Sequence, residues 1–141
     1  LTSHIQDFIG SRPVTFVKGR SKEVIAASDA VLLASGTAAL EACLTGRPTV
    51  AAYRLNAATY FFIKRKLTTS FVTLPNFMAN QALIPELIQG KATVANIVDK
   101  LEPLLLNGAS EQFLRETKAI HENLIGPEID CVCNWLLNQW L

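Results

Sequence analysis

No apolar run in this 141-residue chain approaches the ~20 residues needed to cross a bilayer, so no membrane span is expected. Charge of either sign is also scarce. Thirteen Lys and Arg face twelve Asp and Glu, a formal net charge of +1, which gives no general electrostatic case for nucleic acid. Cysteine is sparse and odd in number: Cys43, Cys131 and Cys133. Cys131 and Cys133 lack the spacing of redox or zinc motifs and have no histidine near them in sequence, so free thiols in a reducing cytoplasm are expected. His4 and His121 stand alone and read as surface or structural residues. No initiator Met or signal peptide precedes Leu1-Thr2-Ser3, which leads to the expectation of a chain cut from something longer. What is abundant is apolar: half of the residues are hydrophobic and 18% are charged, a composition that folds rather than stays disordered. The length suits about one domain.

Apolar runs alternate with helical patterns through the first half. The pattern predicts a helix end over 2–9 stopped by Gly10, strands over 14–17, 30–34, 49–53 and 71–74, and helices over 21–27, 37–45 and from Asn56 to about 67. Gly46 is placed as the residue that ends the helix 37–45. Strands separated by helices and short loops imply βαβ units and a parallel sheet. After Pro75-Asn76 the strand signal disappears. A short helix over 82–89 with Pro85 early, a helix over 94–106 with Pro103 in its latter part, and helices over 110–124 and 128–140 separated by Gly126-Pro127 complete the reading.

The most informative stretch runs from Asp29 to Arg54. The run Ala30 to Ala34 suits a strand buried on both faces and ends at Ser35-Gly36-Thr37, where a helix begins. Gly36 permits a tight turn, and Ser35 or Thr37 can cap the helix. Free N–H groups and the positive helix end make that bend attractive to phosphate, at the carboxyl edge where open α/β sheets bind ligands. Glu41 lies about one turn after Thr37, on a similar face, and can accept hydrogen bonds from the vicinal hydroxyls of a ribose. Phosphate at the bend and ribose one turn along describe a nucleotide diphosphate site. The alternative is an ordinary strand-to-helix turn with a solvated Glu.

Asn76, at the end of the fourth predicted strand, shares that edge and can donate and accept; it also reads as a turn residue after Pro75. Tyr53-Arg54 ends the third strand there, and Arg54 can pair with a diphosphate or stand as a surface arginine. Tyr60, Phe61, Lys64 and Arg65 set aromatic bulk beside cations, suited to anionic lipid or long acyl chains, or to a core-facing helix with a basic end. Trp135, Leu136, Leu137, Trp140 and Leu141 make the last helix apolar, for docking on its own domain, a missing domain or a second subunit.

The segments ASDAVLLASGTAALEACLTGRPTVAAYR and FVTLPNFMANQALIPELIQ resemble the carboxyl-terminal half of lipid-A-disaccharide synthase, a bacterial inverting glycosyltransferase family of the two-Rossmann-domain GT-B type. The similarity is high from about Gly19 to Gln89 and continues weakly into the tail. The resemblance implies an α/β Rossmann-like parallel sheet, the carboxyl-terminal half of a GT-B fold, with a donor-binding domain over 1–106. A helical tail over 107–141 would pack on the same or a missing domain. It implies transfer of a diacylglucosamine from its UDP donor to a diacylglucosamine 1-phosphate, with release of UDP. Ser35, Gly36 and Thr37 would meet the diphosphate and Glu41 the ribose; Tyr53, Arg54 and Asn76 match the family's tyrosine-arginine pair and LPN asparagine. Gln81 stands where many members carry a basic residue, so a phosphate or acceptor contact there is expected to be weaker.

The general base would lie in an amino-terminal domain absent from this chain, and no catalytic residue is assigned. No cofactor and no metal ion are expected. Expected partners are the UDP-sugar and the acylated sugar phosphate, with peripheral contact at the cytoplasmic face of the inner membrane of a Gram-negative-type bacterium, no nucleic acid, and a homodimer as a candidate assembly. The rival readings are a GT-B transferase or epimerase acting on a soluble UDP-sugar, and a non-catalytic interaction module.

Overall fold

A computed structural model describes residues 11–34, 36–56 and 71–125. The helices expected over 2–9, 57–67 and 128–140 fall outside the described residues, as do Ser35, Tyr60, Phe61, Lys64, Arg65, both tail cysteines and both tryptophans. Within them the elements run α1 (Ser21–Ala27), β1 (Val31–Leu33), α2 (Thr37–Leu44), β2 (Thr49–Tyr53), α3 (Leu74–Ala79), β3 (Glu86–Ile88), a 3-10 turn (Gln89–Lys91), α4 (Val94–Asn107) and α5 (Glu111–Ile125).

The three strands form a parallel sheet in the order β1-β2-β3. This is the α/β architecture of a Rossmann-like GT-B half. Its strands are staggered: Leu33 pairs with Ala51, Ala51 with Glu86, and Tyr53 with Ile88, so β3 starts where β1 stops. Thr49, Val50 and Ala51 are all buried, which consecutive residues of a strand achieve only when both faces are covered. Ala39 and Cys43 of α2, Ala51, Ile84 and Phe113 of α5 form one core cluster. Small residues on the inner side of α2 let it lie close to the sheet. α3 and α5 pack against α2 and each other, and α4 packs on β2.

The helices expected at 21–27, 37–45, 94–106 and 110–124 and the strand at 49–53 are present. Gly46 follows α2 with φ +69, and its N–H donates to the Cys43 carbonyl at 2.8 Å. Pro103 sits inside α4 as expected. Four readings are corrected. Residues 14–17 form no strand: they are exposed, and Val14 N–H bonds locally to the Arg12 carbonyl at 2.8 Å. β1 is not buried on both faces, since Leu32 is 47% exposed.

The expected strand 71–74 is the approach to α3. Its backbone is extended at Thr73, but the Val72 and Thr73 N–H groups donate to the Glu86 carboxylate (3.1 and 2.8 Å) instead of a neighbouring strand. Pro75, one residue into α3, occupies a first-turn position where its missing N–H costs nothing. The expected helix 82–89 contains β3 instead. Pro85 biases Ile84 toward extended backbone, and the Pro85 carbonyl accepts Ala51 N–H at 3.0 Å.

Candidate functional site

The carboxyl edge of the sheet opens at Gly36. This residue is the N-cap of α2, with φ +140 and ψ −161, a conformation open in practice to glycine alone. A Cβ there would meet nothing within 4 Å, so the requirement comes from the backbone and not from crowding. No side chain caps α2: the expected cap from Thr37 is not made, because Thr37 is the first helical residue, and Ser35 lies outside the described residues. Gly36, Thr37 and Ala38 are exposed. The first turn therefore presents uncapped N–H donors and a positive helix end to solvent.

Ala39, Ala42 and Cys43 define the buried side of α2. At about 100° per residue, Thr37 and Glu41 project within about 40° of each other on the opposite side. Glu41 is half-buried, and among the described residues its carboxylate has no hydrogen bond or ion pair. A cavity of about 520 Å³ adjoins the bend. Its lining, from Thr15, Phe16 and Val17 through Val24 and Leu33 to Ala38, is largely apolar, as a flat heterocyclic ring would require. The sequence reading missed this cavity, because residues 14–17 looked like a buried strand instead of a wall.

Counting on from the paired residues, Gly36 and Gln89 both reach the level of Arg54. Arg54 is exposed, and its Nη2 donates to the Ala92 carbonyl at 3.0 Å. One of its five N–H donors is engaged in that bond, which leaves an anion-binding fork. Tyr53 is half-buried at the same edge. Lys91, exposed in the 3-10 turn, brings a further cation there that sequence reasoning did not single out.

Asn76 is elsewhere. It was expected at the end of a strand on the carboxyl edge, but it lies in α3, 1% exposed, against the segment leading into β3. Its Nδ2 donates to the Ile84 carbonyl (2.9 Å) and to Glu86 Oε1 (2.9 Å), while its Oδ1 accepts Ile84 N–H (2.8 Å). The amide imitates a strand neighbour for Ile84, and both of its donors are engaged within the chain. Glu86 binds Thr73 as well, through Oγ1 at 2.7 Å. Gln81, the expected phosphate or acceptor contact, sits in the loop leading into β3, on the amino side of the sheet. The candidate site thus gathers Gly36, Thr37, Glu41, Tyr53 and Arg54, and leaves Asn76 and Gln81 outside.

Among the described residues, no group of three or more His, Cys, Asp or Glu could hold a metal ion, and no helix is long and apolar enough to cross a membrane. Cys43 is buried under α2, and burial pushes its thiol up from 9.0 to about 12, which leaves it an inert core residue.

The family model for lipid-A-disaccharide synthetase matches residues 8–129. Among curated proteins, the lipid-A-disaccharide synthase of Pseudomonas putida (strain GB-1) is 46% identical over 99 residues, covering 70% of this chain and 26% of that protein. That of Pseudomonas fluorescens (strain Pf0-1) is 43% identical over 124 residues, covering 86% and 32%. That of Azotobacter vinelandii is 47% identical over 112 residues, covering 79% and 29%. The chain thus spans between about a quarter and a third of the length of these relatives.

Proposed function

The chain belongs to the lipid-A-disaccharide synthetase family, and on that footing we propose that it forms the donor-nucleotide half of a GT-B glycosyltransferase of lipid A biosynthesis. The donor is a UDP-linked diacylglucosamine and the acceptor a diacylglucosamine 1-phosphate. The observation that carries this reading is the uncapped, exposed start of α2 at Gly36. The diphosphate lies against the N–H groups of Thr37 and Ala38, with Ser35 adjoining. Glu41, with a carboxylate free of protein partners among the described residues, accepts from the ribose hydroxyls. The apolar cavity beside Ala38 takes the uracil ring.

The chemistry follows from where charge develops. As the glycosidic bond to the donor breaks, negative charge grows on the departing diphosphate. The fixed donors of α2, with Arg54 at the same level, stabilise that charge without reorganising and without a metal ion. The base that activates the acceptor hydroxyl belongs to a part of the enzyme outside this chain. Both substrates carry acyl chains, so the whole enzyme works at the cytoplasmic membrane face, with Tyr60, Phe61, Lys64 and Arg65 as candidate lipid contacts. Competition separates this from a soluble-sugar enzyme: in the whole enzyme an acylated donor outcompetes UDP-N-acetylglucosamine.

Titration of the chain with UDP, read by amide shifts, tests the donor site. Shifts centred on Gly36 to Glu41 are expected, and Glu41→Ala weakens binding by about 1–3 kcal/mol, the loss of hydrogen bonds to a charged acceptor. A UDP analogue lacking both ribose hydroxyls then binds the unsubstituted chain and the variant alike. If the variant still prefers UDP over the analogue as strongly as the unsubstituted chain does, the ribose assignment is wrong.

A further inference from the structure

Gln89 has φ +55, one of two non-glycine residues in the left-handed region among those described. It stands where β3 leaves the sheet for the 3-10 turn. At this point the ladder between β2 and β3 would end, since Tyr53 and Ile88 are the last paired residues. The Gln89 side chain continues it. Leu55 N–H donates to Gln89 Oε1 at 2.7 Å, and Gln89 Nε2 donates to the Leu55 carbonyl at 3.1 Å. An amide that both accepts from and donates to one residue reproduces the pairing of a neighbouring strand. The adjoining bond from Arg54 Nη2 to the Ala92 carbonyl fixes the same loop to the far end of the 3-10 turn. The turn is itself anchored: Asn96 Nδ2 donates to the Lys91 carbonyl at 2.9 Å.

We propose that Gln89 is a positioning residue of the donor site, which uses its side-chain amide as a surrogate strand to hold Arg54 at the level of the Gly36 bend. This rests on the donor-site reading above. A left-handed backbone at a residue with a side chain persists only where its surroundings hold it. Here the reciprocal bonds to Leu55 do so, and the residue they hold is the neighbour of a guanidinium on the ligand edge. Without them the loop after β2 keeps one side-chain tie to β3's end, the Arg54 bond itself. An anion would then compete for the same guanidinium that anchors the loop.

The experiment compares UDP with uridine, which lacks the diphosphate, on the chain and on Gln89→Ala, Arg54→Ala and the double variant, by amide-shift titration. Gln89→Ala is expected to bind UDP about tenfold more weakly, the scale of one charge-assisted hydrogen bond, and to bind uridine unchanged. In the Arg54→Ala background the Gln89 substitution adds no further loss, since residues acting through one contact are not additive. Gln89→Gly accepts φ +55 without strain and carries the comparison if the alanine variant fails to fold. Equal losses for UDP and uridine, an undiminished affinity for UDP, or full additivity with Arg54→Ala overturns the proposal. A chain that does not bind UDP at all overturns the donor-site reading, and this inference with it.

Discussion

The two ends of the sheet handle polar groups in opposite ways. On the side where β3 begins, Asn76 is buried and every group of its amide has a partner; Glu86 gathers the N–H groups that lead into α3. At the end where β1 stops, α2 begins on a glycine with no side-chain cap, and its first residues face solvent. A buried polar group is tolerated only when paired, so the first arrangement is a lock. An exposed helix start can wait for an anion, so the second is a receptor. The two asparagine-and-glycine signals look alike in the sequence, each small or polar and each beside a turn, yet one holds the fold and the other is left open for a ligand.

Breaking the lock gives the largest effect. Asn76→Ala strands the buried Ile84 N–H and carbonyl, and costs about 3 kcal/mol of stability by denaturant unfolding. UDP affinity of the variant fraction that remains folded is unchanged. Direct contact between Asn76 and the nucleotide would instead reduce that affinity at full folding, and would erase the contrast.

The receptor is tested by Gly36→Ala. The added Cβ meets open space, so the cost of about 2 kcal/mol arises from backbone strain at φ +140. UDP binding falls along with it, because relaxation turns the first N–H groups away from the ligand. Unfolding midpoints and UDP titration on one sample measure both; a loss of stability with unaltered binding moves the anion elsewhere.

Between the two ends lies Cys43, which sharpens the contrast through pH. With the thiol pushed up to about 12 by burial, the unfolded chain releases this proton above pH 9 while the folded chain keeps it. The folded state then binds more protons, so stability falls as pH rises, by about 1.4 kcal/mol per unit from this group between about pH 9 and 12. Denaturant unfolding at pH 8 and 10 checks it: Cys43→Ala loses about that much less stability than the unsubstituted chain over the interval.

The local part of this architecture was legible. The apolar run into Ser35-Gly36-Thr37, the helix that follows, Gly46 at its end and the strand from Thr49 all rest on short-range periodicity and turn chemistry, and β2, α2, α4 and α5 lie where that pattern puts them. Glu41 on the face of Thr37 follows from helical spacing alone. What escaped depends on side chains standing in for backbone. Residues 71–73 have strand composition, but a carboxylate thirteen or more positions away takes their N–H groups. Asn76 finds its partner eight residues on, and Gln89 finds its partner 34 residues back. No periodicity encodes such pairings, and Pro85 was read as a helix starter although it precedes a strand just as readily.

The stagger of the three strands has a geometric consequence. Because β1 leaves the sheet two residues below the level at which β3 does, roughly 7 Å of strand rise separates their ends. The rim is therefore a step, with a hollow over β1 and a raised sill at Gln89 to Lys91. An elongated guest seated in the hollow must tilt to clear the sill, so a stiff, flat molecule can fill the low berth or rest on the high one, but not bridge both.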